Sequence, residues 1–178
     1  MKAILFGAAL CVAASPAFAK SDKIEQIGTD IAIALPVIAG GIAVGKDDWR
    51  GTAQLFLDTA ATVGTAFALK YVVPEERPDH SDNKSFPSDT AALAFAPAQF
   101  LWDRYGWQYG VPAYLAAGYV GYSRVEAKQH HVWDVAASAG ISIIYSKLIT
   151  TEYRPPRGFE TGLYASPDSA YVTLNYRF

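Results

Sequence analysis

Apolar residues dominate five long stretches of this chain, and short polar breaks separate them. The first covers residues 24–45, with IALPVIAGGIAVG at its heart. The second, 48–73, carries LFLDTAATVGTAFALKYVV and is rich in alanine and threonine. Residues 89–105, 109–126 and 131–152 make three more. Each has the length of a helix that crosses a small domain. The breaks hold helix punctuation. PEERPDHSDNKSFPSD at 74–89 is a polar loop with three prolines, and RPPRG at 154–158 closes the helical part. Beyond it the period changes. In SAYVTLNYRF the residues Val172, Leu174, Tyr176 and Phe178 fall on one face, and SPDS makes a turn before them. The tail is therefore predicted to be a β-hairpin. An aromatic last strand also ends outer-membrane barrels, but one hairpin cannot close a barrel. The pattern predicts an all-α fold: an antiparallel bundle of about five helices, with a C-terminal β-hairpin packed on it.

A different pattern lies ahead of the first stretch. Lys2 is followed by ILFGAALCVAA, an apolar run of signal-peptide length, and AFA at 17–19 puts small residues at a cleavage position. This predicts an export signal over residues 1–19 and a processed chain that starts at Lys20. An uncleaved first membrane helix is the alternative. Cys11 is the only cysteine and lies inside the signal, so the processed chain has no disulfide framework and no thiol chemistry.

Composition narrows the class. A chain of 178 residues is one domain with room for a real core. It is 51% hydrophobic but only 18% charged, and its mean hydropathy of +0.10 lies between an ordinary soluble domain and a full membrane bundle. A net charge of −2 leaves no long basic surface, so no nucleic-acid partner is expected. Residues 27–45 are long and apolar enough to span a bilayer. Lys46, Arg50 and Arg104 fall at one end of the predicted bundle, and Lys84 and Lys128 at the other. That distribution has no sided bias from which to read an orientation.

One short stretch breaks the apolar pattern. SRVEAKQHHVWD, residues 123–134, holds a serine, two basic groups, two adjacent histidines and an aspartate. Counting helix ends shows where it falls. Lys70 ends the second helix, and Ser88 and Asp89 open the third. The fourth finishes near Ser123 and Arg124, and the fifth starts near His130. With antiparallel neighbours, Lys70, Arg77, Ser88, Arg124, His130 and Asp134 gather at one end of the bundle. His130 and Asp134, four residues apart, are predicted to share a face in the first helical turn. The carboxylate would accept one ring proton and leave the other nitrogen free as nucleophile or base. Lys70, Arg77 and Arg124 supply three positive charges, two of them guanidiniums able to fork onto phosphate oxygens. FPSDT adds a serine hydroxyl and free amides at a helix N-terminus, where anions are favoured. Together these describe a phosphate site with a nucleophile inside it.

Those residues resemble a known family. Lys70, six residues, then Arg77-Pro78; PSDT at 87–90; and Ser123-Arg124, five residues, His130, three residues, Asp134 look like the three motifs of the type 2 phosphatidic acid phosphatases. That family also includes bacterial acid phosphatases and vanadium haloperoxidases. The motifs span residues 70–134, roughly a third of the chain, and the first and third match at full spacing. The resemblance implies a helical phosphatase domain over 20–153, followed by a hairpin tail at 154–178. It implies that His130 attacks phosphorus and forms a phosphohistidine, that Asp134 orients it, and that Lys70, Arg77 and Arg124 bind the phosphate oxygens with the Ser88 hydroxyl and the Asp89 amide. It implies no metal and no other cofactor; the cationic cradle carries the charge stabilisation.

The second motif departs from the family, which reads Pro-Ser-Gly-His and uses that histidine to protonate the leaving group. Asp89 stands for the glycine and Thr90 for the histidine. A threonine hydroxyl is far too weak an acid for that work. Three functions therefore compete. One is a phosphatase for a lipid phosphate or diphosphate at the periplasmic side, on an inner-membrane protein. Another is a soluble periplasmic phosphomonoesterase acting on a small phosphate ester. The last is a catalytically weakened member that binds phosphate or lipid headgroups. His80 and His131 are the candidate substitutes for the missing acid, although His131 on its own reads as structural or solvent-facing. Asp58, inside an apolar helix, reads as a paired polar residue, and Trp102, Trp107, Tyr119 and Tyr122 as core or membrane-interface aromatics.

Overall fold

The computed structural model describes residues 16–155, 158–166 and 169–177. It contains five helices: α1 (Pro16–Gly45), α2 (Trp49–Val72), α3 (Asp89–Tyr105), α4 (Trp107–Glu126) and α5 (Val132–Ile149). Strands β1 (Gly158–Ser166) and β2 (Ser169–Arg177) follow and pair antiparallel, with Ser166 opposite Ser169 at the turn and Gly158 opposite Arg177 at the open end. This is the expected helical bundle with its C-terminal hairpin. Among the described residues the two strands contact each other and no helix, so the expected packing of the hairpin on the bundle is not seen. The predicted export signal falls mostly on residues outside those described, and α1 already runs from Pro16 across the predicted start at Lys20.

The helix ends follow local chemistry. Asp48 caps α2 by accepting the Gly51 amide at 2.9 Å, and Ser88 caps α3 by accepting the Ala91 amide at 3.3 Å. Between α3 and α4 a single residue turns the chain. Gly106 sits at φ +89°, a conformation that side chains disfavour.

Helix α3 is the centre of the bundle. It packs against α1, α2, α4 and α5, while α1 lies on α4 and α2 on α5. Its sequence suits that place. Ala91, Ala92, Ala94, Ala96 and Ala98 are fully buried and let neighbouring backbones approach closely. Phe95, Phe100 and Leu101 fill the remaining space against Ala32 and Leu35 of α1 and Ala117 and Val120 of α4.

The outer helices show the reverse of a soluble pattern. On α5 the buried residues are Asp134, Ser138, Ser142 and Ser146, every fourth position, while Ile143, Ile144 and Leu148 are exposed. On α2 Asp58 and Thr62 are buried while Phe56, Leu57 and Phe67 face outward. Ile33, Val37 and Ile38 do the same on α1, and Leu115 on α4. Apolar exteriors around small or polar interiors suit a hydrocarbon surround. By length and composition two helices can cross a membrane: residues Asp22–Gly45 and α5.

Candidate active site

The residues expected to gather do so, at the end of the bundle where α2, α4 and the starts of α3 and α5 meet. Two connections build the floor. The α2–α3 loop is braced by a bridge between Glu75 and Lys84 and by the Ser85 amide donating to the Glu75 carbonyl at 2.9 Å. The α4–α5 loop docks on it. Asp79 donates its amide to the Lys128 carbonyl at 3.1 Å, and Ser88 donates its amide to the Asp134 carbonyl at 3.4 Å. Both loops are polar because their backbone groups bond across a crevice rather than within a helix.

His130 lies in this crevice and is almost wholly buried. Its Nδ1 is 2.7 Å from the Ser85 carbonyl oxygen. A carbonyl only accepts, so Nδ1 carries the proton, and in the neutral ring the lone pair is on Nε2. Burial, together with the charges of Lys70 and Arg77, lowers its pKa to about 4. The site thus holds a neutral, oriented imidazole among cations, which is the form a nucleophile needs.

The structure corrects how that ring is held. His130 precedes α5, which begins at Val132, so the helical spacing assumed for His130 and Asp134 does not apply. Asp134 Oδ2 is 3.6 Å from His130 Nδ1, too far for a hydrogen bond. It accepts instead from the His131 amide at 2.7 Å, closing the N-terminus of α5, and from the Ser85 hydroxyl at 2.5 Å. Asp134 therefore fixes Ser85, and Ser85 fixes His130. Ser85 is the link that the sequence did not reveal. A serine in a polar loop carries no signal that its carbonyl meets a ring 45 residues away.

The three cations converge, and each already has an acidic partner. Lys70 Nζ donates to the Lys84 carbonyl at 3.0 Å and lies 3.5 Å from Asp89 Oδ1. Arg77 donates from Nε to Asp82 Oδ1 at 2.7 Å and from Nη1 to the Gln129 carbonyl at 3.1 Å. Arg124 bonds the Glu25 carbonyl through Nη2, and its Nη1 lies 3.5 Å from the Glu25 carboxylate. Glu25 comes from α1, 99 residues away, and was not anticipated. Its reach depends on Gly28, where a Cβ would fall 1.9 Å from Ser123 Oγ. The bare glycine lets α1 approach α4 at the site.

The remaining predicted residues take these places. Ser88 is buried as the α3 cap, with its hydroxyl accepting the Ala91 amide. Asp89 is the first residue of α3, so its amide is one of those a helix leaves unpaired. Its carboxylate faces Lys70. His80 is exposed and pairs with Glu76 at 2.7 Å, outside the cradle. His131 stacks on Trp133, with centroids 4.3 Å apart, and lies 3.6 Å from Glu75. Glu75, His131 and Asp134 could together offer ligand atoms to a metal. Glu75 also accepts the Trp133 indole proton at 2.6 Å, and Asp134 Oδ2 is taken by the His131 amide and the Ser85 hydroxyl.

No protein-family model matches the chain. A lipid A 4'-phosphatase of Helicobacter pylori is 30% identical over 145 residues, covering 75% of this chain and 73% of that protein. A lipid A 1-phosphatase of Porphyromonas gingivalis is 34% identical over 96 residues, 52% of this chain and 21% of that protein. Among solved structures, Aquifex aeolicus LpxE matches with a TM-score of 0.59 at 22% identity, over 76% of this chain and 87% of that one. A transmembrane phosphatidylglycerolphosphate phosphatase of Bacillus subtilis matches with a TM-score of 0.51 at 24% identity, over 78% and 77%. The last two likenesses concern the fold.

Proposed function

This chain belongs to the type 2 phosphatidic acid phosphatase superfamily, and we propose that it removes a phosphate from a membrane lipid through a phosphohistidine at His130, on the periplasmic face of the inner membrane. It is a phosphatase and is associated with the membrane. The finer reading rests on one observation: a buried, neutral histidine, held through Nδ1, on which the charges of Lys70 and Arg77 act. The likeness to lipid A phosphatases makes a phosphorylated glycolipid the first substrate to try. The apolar exterior of α1, α2, α4 and α5 supports a bundle that crosses the bilayer with the site at one interface. An export signal over residues 1–19 would start the processed chain in the periplasm. Helix α2 then returns to that side with Lys70, and α4 with Arg124.

In the proposed reaction phosphate oxygens replace the acidic partners of the three cations. The Asp89 amide, the one at the start of α3 left without a partner among the described residues, and the Ser88 hydroxyl add hydrogen bonds. His130 Nε2 attacks phosphorus in line with the leaving oxygen, and water later releases the phosphate. The cations do most of the work, because phosphoryl transfer needs positioning and charge stabilisation above all.

The test is phosphate release from lipid A by the purified protein in detergent. His130→Ala should abolish turnover, and an acid-labile labelled phosphoenzyme should form in the parent only. Chelators should leave the rate unchanged. Full activity in His130→Ala, or activity lost to EDTA and restored by zinc, would overturn the reading. The pH profile gives a second check. An ordinary histidine with a pKa near 6.5 is mostly protonated at pH 5, whereas His130 stays mostly neutral until about pH 4. The phosphoenzyme should therefore form at pH 5 without loss from nucleophile protonation, and form less as pH falls through 4.

Binding without turnover is the second reading, favoured by Thr90 in the acid's place. Vanadate bound at the cradle, with no phosphate released from any ester, would select it.

A further inference from the structure

We propose that Asp89 carries the proton in this site, as acid toward the leaving oxygen and then as base toward water. The inference rests on the phosphatase reading above and assigns the role that Thr90 leaves empty.

The chain has three histidines, and none is placed to donate. His130 is the nucleophile, with Nδ1 committed to the Ser85 carbonyl. His80 is exposed and tied to Glu76. His131 is stacked on Trp133 and shares its Nδ1 side with Glu75, Asp134 and Ser85.

The cradle holds three carboxylates, and they differ in how firmly they are held. Asp82 accepts from Arg77 Nε at 2.7 Å and from the Lys84 amide at 2.8 Å. Glu25 reaches Arg124 from another helix, and its own carbonyl is bonded to the same guanidinium. Asp89 is held least. Its Oδ1 is 3.5 Å from Lys70 Nζ and accepts the Thr90 amide at 3.1 Å, and its side chain is 44% exposed. It stands at the first position of α3, next to the cap residue Ser88. The charged groups that act on it are Lys70 from α2 and Arg124 from α4. A phosphate that takes Lys70 and Arg124 must therefore lie against Asp89. A substrate that enters as the monoanion brings the proton with it, and the Asp89 carboxylate beside it is the group placed to take that proton and pass it on.

That proton balances both steps. In the first, the His130 Nε2–phosphorus bond forms, the bond from phosphorus to the leaving oxygen breaks, and the Asp89 carboxyl proton passes to that oxygen. The product leaves as an alcohol. In the second, the Asp89 carboxylate takes a proton from water, the oxygen attacks phosphorus, and the phosphorus–nitrogen bond breaks. Phosphate leaves, and both His130 and protonated Asp89 are restored.

The experiment compares the parent with Asp89→Asn, and with Asp89→Ser should the first variant fold poorly. Single-turnover phosphorylation is measured with p-nitrophenyl phosphate and with an alkyl phosphate in the same micelles. Vanadate binding reports on the intact cradle. A general acid is worth about 10²–10⁴-fold. We expect a loss of that order for the alkyl phosphate and less than about tenfold for p-nitrophenyl phosphate, whose leaving group needs little help. A burst of one p-nitrophenol per site should precede slow release of phosphate, because water is no longer activated. Vanadate affinity should hold or rise as a negative charge is removed. An unchanged alkyl rate, or equal losses on both substrates, would overturn the role of Asp89 while leaving the phosphatase reading in place. A parent protein that binds vanadate but turns over neither ester would overturn both.

Discussion

Each end of the bundle buries a guanidinium, and the two are partnered in opposite ways. At the end away from His130, Arg104 forks onto Asp48 with Nε–Oδ2 at 2.7 Å and Nη2–Oδ1 at 2.5 Å. Its Nη1 donates to the Thr151 carbonyl at 2.6 Å, and Tyr105 adds a hydroxyl to Asp48 at 2.8 Å. Both partners are about 95% buried. At the His130 end Arg124 is equally buried, but its Glu25 partner is 31% exposed and 3.5 Å away. Lys70 and Arg77 repeat the arrangement, with carboxylates that are each 44% exposed. A forked pair with both members buried has no donor left for a ligand and cannot open cheaply. A buried cation with a solvated counter-ion can exchange that counter-ion for a phosphate. The contrast separates a cation that fastens the fold from one that waits for substrate.

Removing the two arginines in turn should give opposite results. Arg104→Ala leaves Asp48 buried and unpaired, and should cost about 3–5 kcal/mol of stability. Thermal unfolding in detergent reads it. A loss below about 1 kcal/mol would mean that the far end does not hold the bundle together.

Arg124→Ala should spare the fold far more and act on the ligand. A charged hydrogen bond left unmade is worth about 1.5–3 kcal/mol, so vanadate affinity should fall at least about tenfold. Equal affinity in variant and parent would remove Arg124 from the site and erase the difference between the ends.

Gly28→Ala makes the smallest change. The new Cβ meets Ser123 Oγ at 1.9 Å and Ser123 Cβ at 2.6 Å, so α1 must shift from α4 and carry Glu25 with it. The expected cost is about 1 kcal/mol, the lower end of overpacking. Vanadate affinity should change by less than in Arg124→Ala. No change in either quantity would show that the seating of α1 does not govern Arg124.

Much of the fold was legible along the chain. The break at 74–89 was marked by its prolines, and the site lies between α2 and α3 there because Lys70 and Ser88 end and begin those helices. Arg77 and Arg124 were found through their spacing to Lys70 and His130. The Arg104 cluster was not found, because an arginine near a helix end reads as solvent-facing unless its partners are known. The outward apolar faces were hard to read for a related reason. Asp58, Thr62 and the α5 serines lower the hydropathy of their helices, although all of them point inward.

The chain alone specified the number of helices, the hairpin and the end of the bundle at which the chemistry collects, and most helix limits to within two or three residues; α1, which starts at Pro16 rather than at 24, is the exception. Those features depend on local signals: apolar period, proline, glycine and capping side chains within a few residues of each other. Tertiary structure alone decided that Ser85 rather than Asp134 holds the His130 ring, that Glu25 covers Arg124, and that Asp89 faces Lys70. The first two pairs are separated by 45 and 99 residues. Their distances are set by how closely α1, α3 and α4 pack, and that depends on every buried side chain between them.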